Sequence, residues 1–320
     1  MKIITNIGCI GAGLIGQGWA TLLSSKGYEL ILHDINADIL ENALRKIRSN
    51  LEFLEANDFL GQEKTDTALK RIKTTMSLAE AVSNADYIQE SVFDDYEVKK
   101  RLFREMDALA PKSAIIASST SGLLMTRIQK KVTEPERCVL AHPYLPVHLM
   151  PLVEVAGGKQ TSPETLAATF GLMQKIGKTP VMLKKEVPGY IVNRLQAALL
   201  REAIDLVDSG VASAEEVDRA FRMSVGLRSP LLGPLLRAHL AGDGIERFFE
   251  NYAQSYRIRW ESMATWNSIS EQAADATING VNEMEIVRTK SLEEIKKWRD
   301  KRVVDILRII RESGNSEQHE

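Results

Sequence analysis

Short apolar runs alternate with longer segments of helical spacing along the first half of the chain, and only helical spacing remains in the second. The runs fall at residues 3–10, 30–34, 72–75, 87–89, 114–117, 138–141, 152–155 and 180–183. Bounded by turn residues, runs of this length read as strands, and segments such as 17–26 and 96–109 between them read as helices. That alternation predicts an α/β fold, a Rossmann-type doubly wound sheet with helices on both faces. After Lys184-Lys185-Glu186-Val187-Pro188-Gly189 the pattern changes, and segments 190–207, 214–225, 244–256 and 291–311 carry helical periodicity alone. A boundary near Pro188 gives a sheet domain over 1–186 and an all-helical C-terminal domain over 187–320. Residues 313–320 read as a solvated tail.

The first strand-to-helix junction carries chemistry. Gly11-Ala12-Gly13-Leu14-Ile15-Gly16 follows an apolar strand and opens a helix. This is the G-x-G-x-x-G of a dinucleotide site: Gly11 permits the tight turn, Gly13 lets the backbone approach a pyrophosphate, and Gly16 lets helix pack on strand. Leu14 and Ile15 lie in the turn that meets the phosphates. Asp34 ends the second run, about twenty residues on, where its carboxylate can accept from a ribose 2′-hydroxyl and repel a 2′-phosphate. Ile35-Asn36 follow it, and no arginine occurs between it and Arg45. The expected cofactor is NAD rather than NADP.

Composition agrees with an enzyme of two domains. The 320 residues are 44% hydrophobic and 26% charged, with a net charge of −2. No basic block suits a nucleic acid, and no stretch approaches the roughly eighteen consecutive apolar residues of a membrane span. Cys9 and Cys138 are isolated, lie inside apparent strands and lack metal-ligand spacing, so buried thiols in a reducing cytoplasm and no metal site are expected.

Four polar residues stand in apolar surroundings: Ser121 after run 114–117, His142 ending run 138–141, Glu154 between Val153 and Val155, and Asn193 in Tyr190-Ile191-Val192-Asn193. A carboxylate on a core strand is costly without a partner, and an imidazole at a neighbouring strand end supplies one. Such a pair raises the basicity of the imidazole and fixes its tautomer, as a general base for alcohol oxidation requires. By composition and spacing alone, a purely structural His–Glu pair fits equally well.

The order and spacing of five segments add to this. Gly11–Gly16, Ser118-Ser119-Thr120-Ser121, His142-Pro143-Tyr144-Leu145-Pro146, Leu152-Val153-Glu154-Val155 and Val187-Pro188-Gly189-Tyr190-Ile191-Val192-Asn193-Arg194 together resemble the 3-hydroxyacyl-CoA dehydrogenase family over nearly the whole chain. The resemblance implies hydride transfer between NAD and the 3-position of a 3-hydroxy acyl compound, and a helical domain that forms a homodimer. His142 matches the family's general base, Glu154 the carboxylate that orients it, and Ser121 and Asn193 the groups that hold the reacting oxygen and substrate. Asp34 matches the ribose-binding acid. Asp94 stands where the family usually has glutamate, and Lys99 matches a lysine of the cofactor site; a solvated helix-start face is the alternative for both.

One departure bears on substrate. The family usually reads His-x-Phe-Asn-Pro, and here the asparagine is Leu145, which can neither donate nor accept a hydrogen bond. CoA-using members tend to carry lysines after the second strand, whereas Leu54-Glu55-Ala56-Asn57-Asp58-Phe59-Leu60-Gly61 holds two acids and no base. His-Pro at the base and a chain of this length resemble the non-CoA branch, which acts on small free acids such as carnitine or gulonate. A 3-hydroxy acid of carnitine type is therefore the expected substrate, with a 3-hydroxyacyl-CoA thioester or a non-catalytic NAD-binding role as alternatives. Phe248, Tyr252, Tyr256 and Trp260 at four-residue spacing invite an aromatic box for a trimethylammonium group, but one helical face of this kind is normally core or dimer interface.

Overall fold

The computed structural model describes residues 4–316. The chain forms two compact units, one ending at Arg194 and the other starting at Leu195. The first contains strands β1 (Asn6–Ile10), β2 (Glu29–His33), β3 (Ile72–Thr75), β4 (Tyr87–Glu90), β5 (Ile115–Ser118), β6 (Cys138–Pro143), β7 (Leu152–Gly157) and β8 (Thr179–Met182). They make one sheet in the order β3-β2-β1-β4-β5-β6-β7-β8. The sheet is doubly wound: connections leave β1 toward β2 on one side and return to β4 on the other, so a crevice opens at the C-terminal ends of β1 and β4.

Period-two alternation explains the two covered faces. Ile7, Cys9, Tyr87 and Ala117 point into one cluster with Trp19, Leu23 and Ile47, while Ile10, Ile88 and Ile116 point into another with Phe103 and Met106. Each such fully buried aliphatic side chain contributes roughly 1.5–3 kcal/mol. Cys9 and Cys138 lie in these clusters as free thiols, and burial pushes Cys9 up to about 12 and Cys138 up as well.

Every neighbouring pair of strands is parallel except β6 and β7. Their connection, residues 144–151, is shorter than the dozen or so residues a parallel crossover needs. The reversal puts His142 directly opposite Glu154 in the register. Helix α1 (Leu14–Ser25) begins three residues before the predicted 17–26, because Gly13 is already its N-cap. Helix α2 (Ala37–Ala56) follows β2, with the Asn36 side chain accepting from the Asp38 N–H at 2.7 Å.

The first compact unit extends eight residues past the expected boundary at 186/187. Residues 190–193 are bonded to the sheet unit: the Ile191 and Val192 N–H groups donate to Glu154 and the Asn193 amide donates to the Ser121 carbonyl. The helix Val192–Asp208 thus starts in the first unit. Among the described residues the remaining unit contains helices and their connections and no strand, as its periodicity predicts. Segment 214–225 is an α-helix only over Ala214–Phe221, started by a Ser213/Glu216 capping box, and continues as a π-turn over Arg222–Gly226. The last helix runs Leu292–Ser316, so the first part of the expected tail is helical; 317–320 lie outside the described residues. Among the described residues no helix is long and apolar enough to cross a membrane.

Candidate active site

The crevice at β1 and β4 has the form the glycine pattern predicts. Gly11 adopts φ +97°, and a Cβ there would meet the Ser91 carbonyl oxygen at 2.8 Å. A Cβ on Gly16 would lie 1.8 Å from the Gly11 oxygen, whereas at Gly13 it would meet nothing within 4 Å. No side chain caps α1 and no acid lies in its first turn, so the N–H groups there are free for an anion. Leu14 is two-thirds exposed at this end, with Ile15 half-buried beside it. Asp34 is anchored by the Ala12 N–H to Oδ2 and the Ile35 N–H to Oδ1, both at 2.8 Å.

Gly11, Gly13 and Asp34 line a cleft of about 560 Å³ with Ile35, Met76 and Phe93, whose side chains are largely exposed. Exposed apolar walls around an open helix N-terminus suit a flat base joined to a diphosphate. His33, in the same lining, keeps a buried Nδ1 with no hydrogen-bond partner. The residues therefore fit NAD. Asp34→Ala is expected to weaken NAD binding about tenfold while narrowing the preference over NADP, since one charge-assisted contact and one repulsion vanish together. Steady-state kinetics with both cofactors checks this; equal efficiency of the unmutated enzyme with NAD and NADP would remove the argument.

Beyond β4 the structure redistributes two expected roles. The Lys99 ammonium is buried, 2.6 Å from Glu90 Oε1, 3.1 Å from the Val92 carbonyl and 3.4 Å from Asp94 Oδ1. Its burial and its two acidic partners set aside the solvated helix face as a description of it. Glu90, fully buried, also accepts from the Ser118 hydroxyl at 2.6 Å. Glu90 is the residue that sequence reasoning missed; its signal is a carboxylate ending an apolar run, nine positions before a lysine. Removing one partner of such a pair typically costs about 3–5 kcal/mol. Asp94 accepts from the Ser121 N–H and hydroxyl, each at 2.9 Å. Burial pushes the Asp94 carboxyl up, but these donors, the Thr120 hydroxyl and Lys99 outweigh it and hold it below the usual carboxylate range. The Ser121 proton is thus committed to Asp94, leaving its oxygen able only to accept.

The second half of the site is the cross-strand pair. His142 Nδ1 lies 3.0 Å from Glu154 Oε2, with both side chains buried. The Tyr144 hydroxyl donates to the same oxygen at 2.7 Å, and the Ile191 and Val192 N–H groups donate to Oε1 at 2.8 and 3.1 Å. Burial pushes the Glu154 carboxyl up, yet the four donors together hold it below its ordinary value. An ionised Glu154 makes Nδ1 the protonated nitrogen of a neutral imidazole, which leaves Nε2 as the acceptor. Tyr190, at φ +51°, packs its ring 5.4 Å from His142 and donates its hydroxyl to the Leu123 carbonyl at 2.6 Å. Asn193 Nδ2 donates to the Ser121 carbonyl at 2.9 Å, with a second N–H to spare. Segment 190–193 thereby gathers all four predicted residues. Leu145, next to Tyr144, is half-exposed.

In the helical unit the aromatic residues form a file along the helix Ile245–Ser262, with centroid separations of 5.2 Å for Phe248–Tyr252 and 5.4 Å for Tyr256–Trp260. Arg259 already lies over the Tyr256 ring at 4.1 Å. Phe248 also lies 5.8 Å from Phe249 and 5.4 Å from Tyr256, so the rings pack on one another as the face of a core or interface does.

Comparison with known proteins agrees with this geometry. Residues 6–187 match the NAD binding domain of 3-hydroxyacyl-CoA dehydrogenase and residues 189–280 its C-terminal domain. The chain is 36% identical to an L-carnitine dehydrogenase of Pseudomonas sp over 97% of its own length and 96% of that protein. It is 34% identical to the lambda-crystallin homolog of Rattus norvegicus, covering 91% of this chain and 92% of that one. Among solved structures it resembles 5-formyl-3-hydroxy-2-methylpyridine 4-carboxylic acid 5-dehydrogenase, an NAD+ dependent dismutase, with a TM-score of 0.83, 29% identity and coverage of 97% and 99%. A glycine-built dinucleotide cleft and two matched domains lead to one conclusion: the chain belongs to the 3-hydroxyacyl-CoA dehydrogenase family and is an NAD-dependent dehydrogenase.

Proposed function

We propose that the enzyme oxidises the 3-hydroxyl of a small free L-3-hydroxy acid, of carnitine type, to the 3-oxo acid. The observation that carries the chemistry is the buried His142–Glu154 pair, whose carboxylate has four donors and whose imidazole keeps one nitrogen for substrate. His142 Nε2 takes the hydroxyl proton, so the O–H bond breaks as an N–H bond forms, and Glu154 balances the imidazolium in a setting of low dielectric. NAD, when bound, supplies the acceptor for the hydride from C3. Asn193 offers its spare N–H to the reacting oxygen, while Asp94 fixes Ser121 beside it, the Ser121 oxygen being left to accept from a donor other than the hydroxyl that His142 deprotonates. Lys99 and Asp94 are the cofactor-site residues that the family resemblance assigns, and Glu90 braces them through its pair with Lys99.

The substrate half of the reading is supported by the likeness to L-carnitine dehydrogenases along the whole chain and by the region after α2. Residues 54–61 carry no base. Glu55 is occupied with the Thr65 N–H, the Thr65 hydroxyl and Lys64 Nζ, at 2.8–3.0 Å, and the Thr65 bonds first among these push its carboxyl down to about 2. Lys64 is thereby tied to an acid, and a CoA phosphate needs free cationic donors. The measurement that decides is kcat/KM for carnitine, gulonate, 3-hydroxybutyrate and 3-hydroxybutyryl-CoA, followed as NADH formation. A clear preference for a free acid is expected; preference for the thioester overturns the substrate assignment, and no turnover on any of them favours the non-catalytic NAD-binding role.

The same proposal includes a homodimer through the helical unit. Leu231, Leu235, Phe249 and Trp260 are each more than 60% exposed in the single chain, a surface that water disfavours. Sedimentation should return twice the chain mass of 35.7 kDa.

A further inference from the structure

We propose that the Tyr144 hydroxyl holds down the proton affinity of the His142–Glu154 pair and so extends alcohol oxidation to lower pH. Tyr144 touches both members of the pair. Its hydroxyl donates to Glu154 Oε2 at 2.7 Å, the same oxygen that lies 3.0 Å from His142 Nδ1, and its ring stands edge-on to the imidazole at 4.7 Å. The other carboxylate oxygen is fixed by two backbone N–H groups, so the carboxylate cannot rotate to offer His142 a different lone pair. Glu154 stabilises an imidazolium by its negative charge, and a donor on the facing oxygen withdraws part of that charge from His142. Deprotonated imidazole is therefore retained further into acid than Glu154 alone would allow.

Among the described residues the titratable groups facing His142 are Glu154 from β7, Tyr144 from the loop after β6 and Tyr190 from the segment before the helix Val192–Asp208. Tyr190 has its proton on the Leu123 carbonyl, and burial pushes its phenol upward, so it stays neutral over the working range. Burial and the Glu154 charge likewise push Tyr144 upward, so it is a donor throughout. Neither tyrosine titrates in competition with the pair.

The kinetic part of this inference rests on the reading of His142 as the base, and the test separates the two. Tyr144→Phe keeps the ring and removes only the hydroxyl. In NAD-free protein, the NMR titration midpoint of the His142 ring, identified by the signal lost in His142→Gln, is expected to rise by about 0.5–1 pH unit. The acid limb of kcat/KM for oxidation should rise by the same amount, a loss of about three- to tenfold well below the midpoint that disappears above it. In a Glu154→Gln background the same change should leave the midpoint in place, because the charge it modulates is gone. An unmoved midpoint in Tyr144→Phe, or a rate lowered equally at every pH, overturns the inference. Near-full turnover by His142→Gln instead overturns the base assignment, and the NMR midpoint still decides the role of the hydroxyl.

Discussion

Replacing His142 by alanine is expected to lower kcat for alcohol oxidation about a hundredfold to ten-thousandfold, with NAD affinity changed by no more than about twofold. The two effects separate because the imidazole sits on β6 while the cofactor cleft is built from the ends of β1, β2 and β4. Glu154→Gln should approach the same loss by a different route. The Ile191 and Val192 N–H groups require an oxygen at the Oε1 position, which turns the glutamine NH₂ toward His142 and Tyr144. An NH₂ cannot accept the Nδ1 proton, so the imidazole must carry its proton on Nε2 and ceases to be a base toward substrate. Glu154 titrates below the ordinary carboxylate value, so its contribution is complete at neutral pH and is lost only as pH falls through that lowered value. Single-turnover rates beside NAD titrations check both variants. A His142→Ala enzyme with near-full turnover on its best substrate would mean that the base is misassigned.

How far this site was legible depends on the range of the interaction concerned. The glycine pattern, the strand-ending Asp34 and the residue types of the pair could be read because each reflects local backbone geometry or a buried polar group in an apolar run. The antiparallel reversal between β6 and β7 left no mark in the period-two alternation, which is the same for either direction of pairing; only the shortness of the connection signals it. That reversal is what sets His142 against Glu154 in register. Lys99 shows the complementary limit: a lysine on a helix start gives no sign in the sequence of the buried pair it makes with Glu90, on a different element. The extension of the first compact unit to 194 was hidden for a similar reason, because the backbone donors that fasten residues 191 and 192 to Glu154 leave no mark in side-chain pattern. Tyr144 in place of phenylalanine was visible as a letter, but its partner was fixed only by the fold.

The second large effect is expected at Gly16. Gly16→Ala should raise the Kd for NAD about ten- to a hundredfold and lower the Tm by about 2–10 °C, as overpacking of about 1–3 kcal/mol implies. The added Cβ would stand 1.8 Å from the Gly11 carbonyl oxygen, far inside contact distance, so either α1 or the loop must move. The loop has nowhere to go: Gly11 is held at φ +97°, its N–H donates to the His33 carbonyl at 2.8 Å, and its far side already abuts the Ser91 backbone. Strain therefore falls on the first turn of α1, the part with free N–H groups, and on Ala12, whose N–H anchors Asp34. Gly13→Ala supplies the contrast. At φ −71° and with nothing within 4 Å, its Cβ costs the fold little, so the Tm should hold while NAD affinity falls because the methyl group fills the approach to the helix N-terminus. Calorimetric NAD titration and thermal unfolding of the two variants distinguish the cases. A Gly16→Ala protein with unchanged Tm and Kd, or a Gly13→Ala protein that loses stability rather than affinity, would contradict this account of the turn.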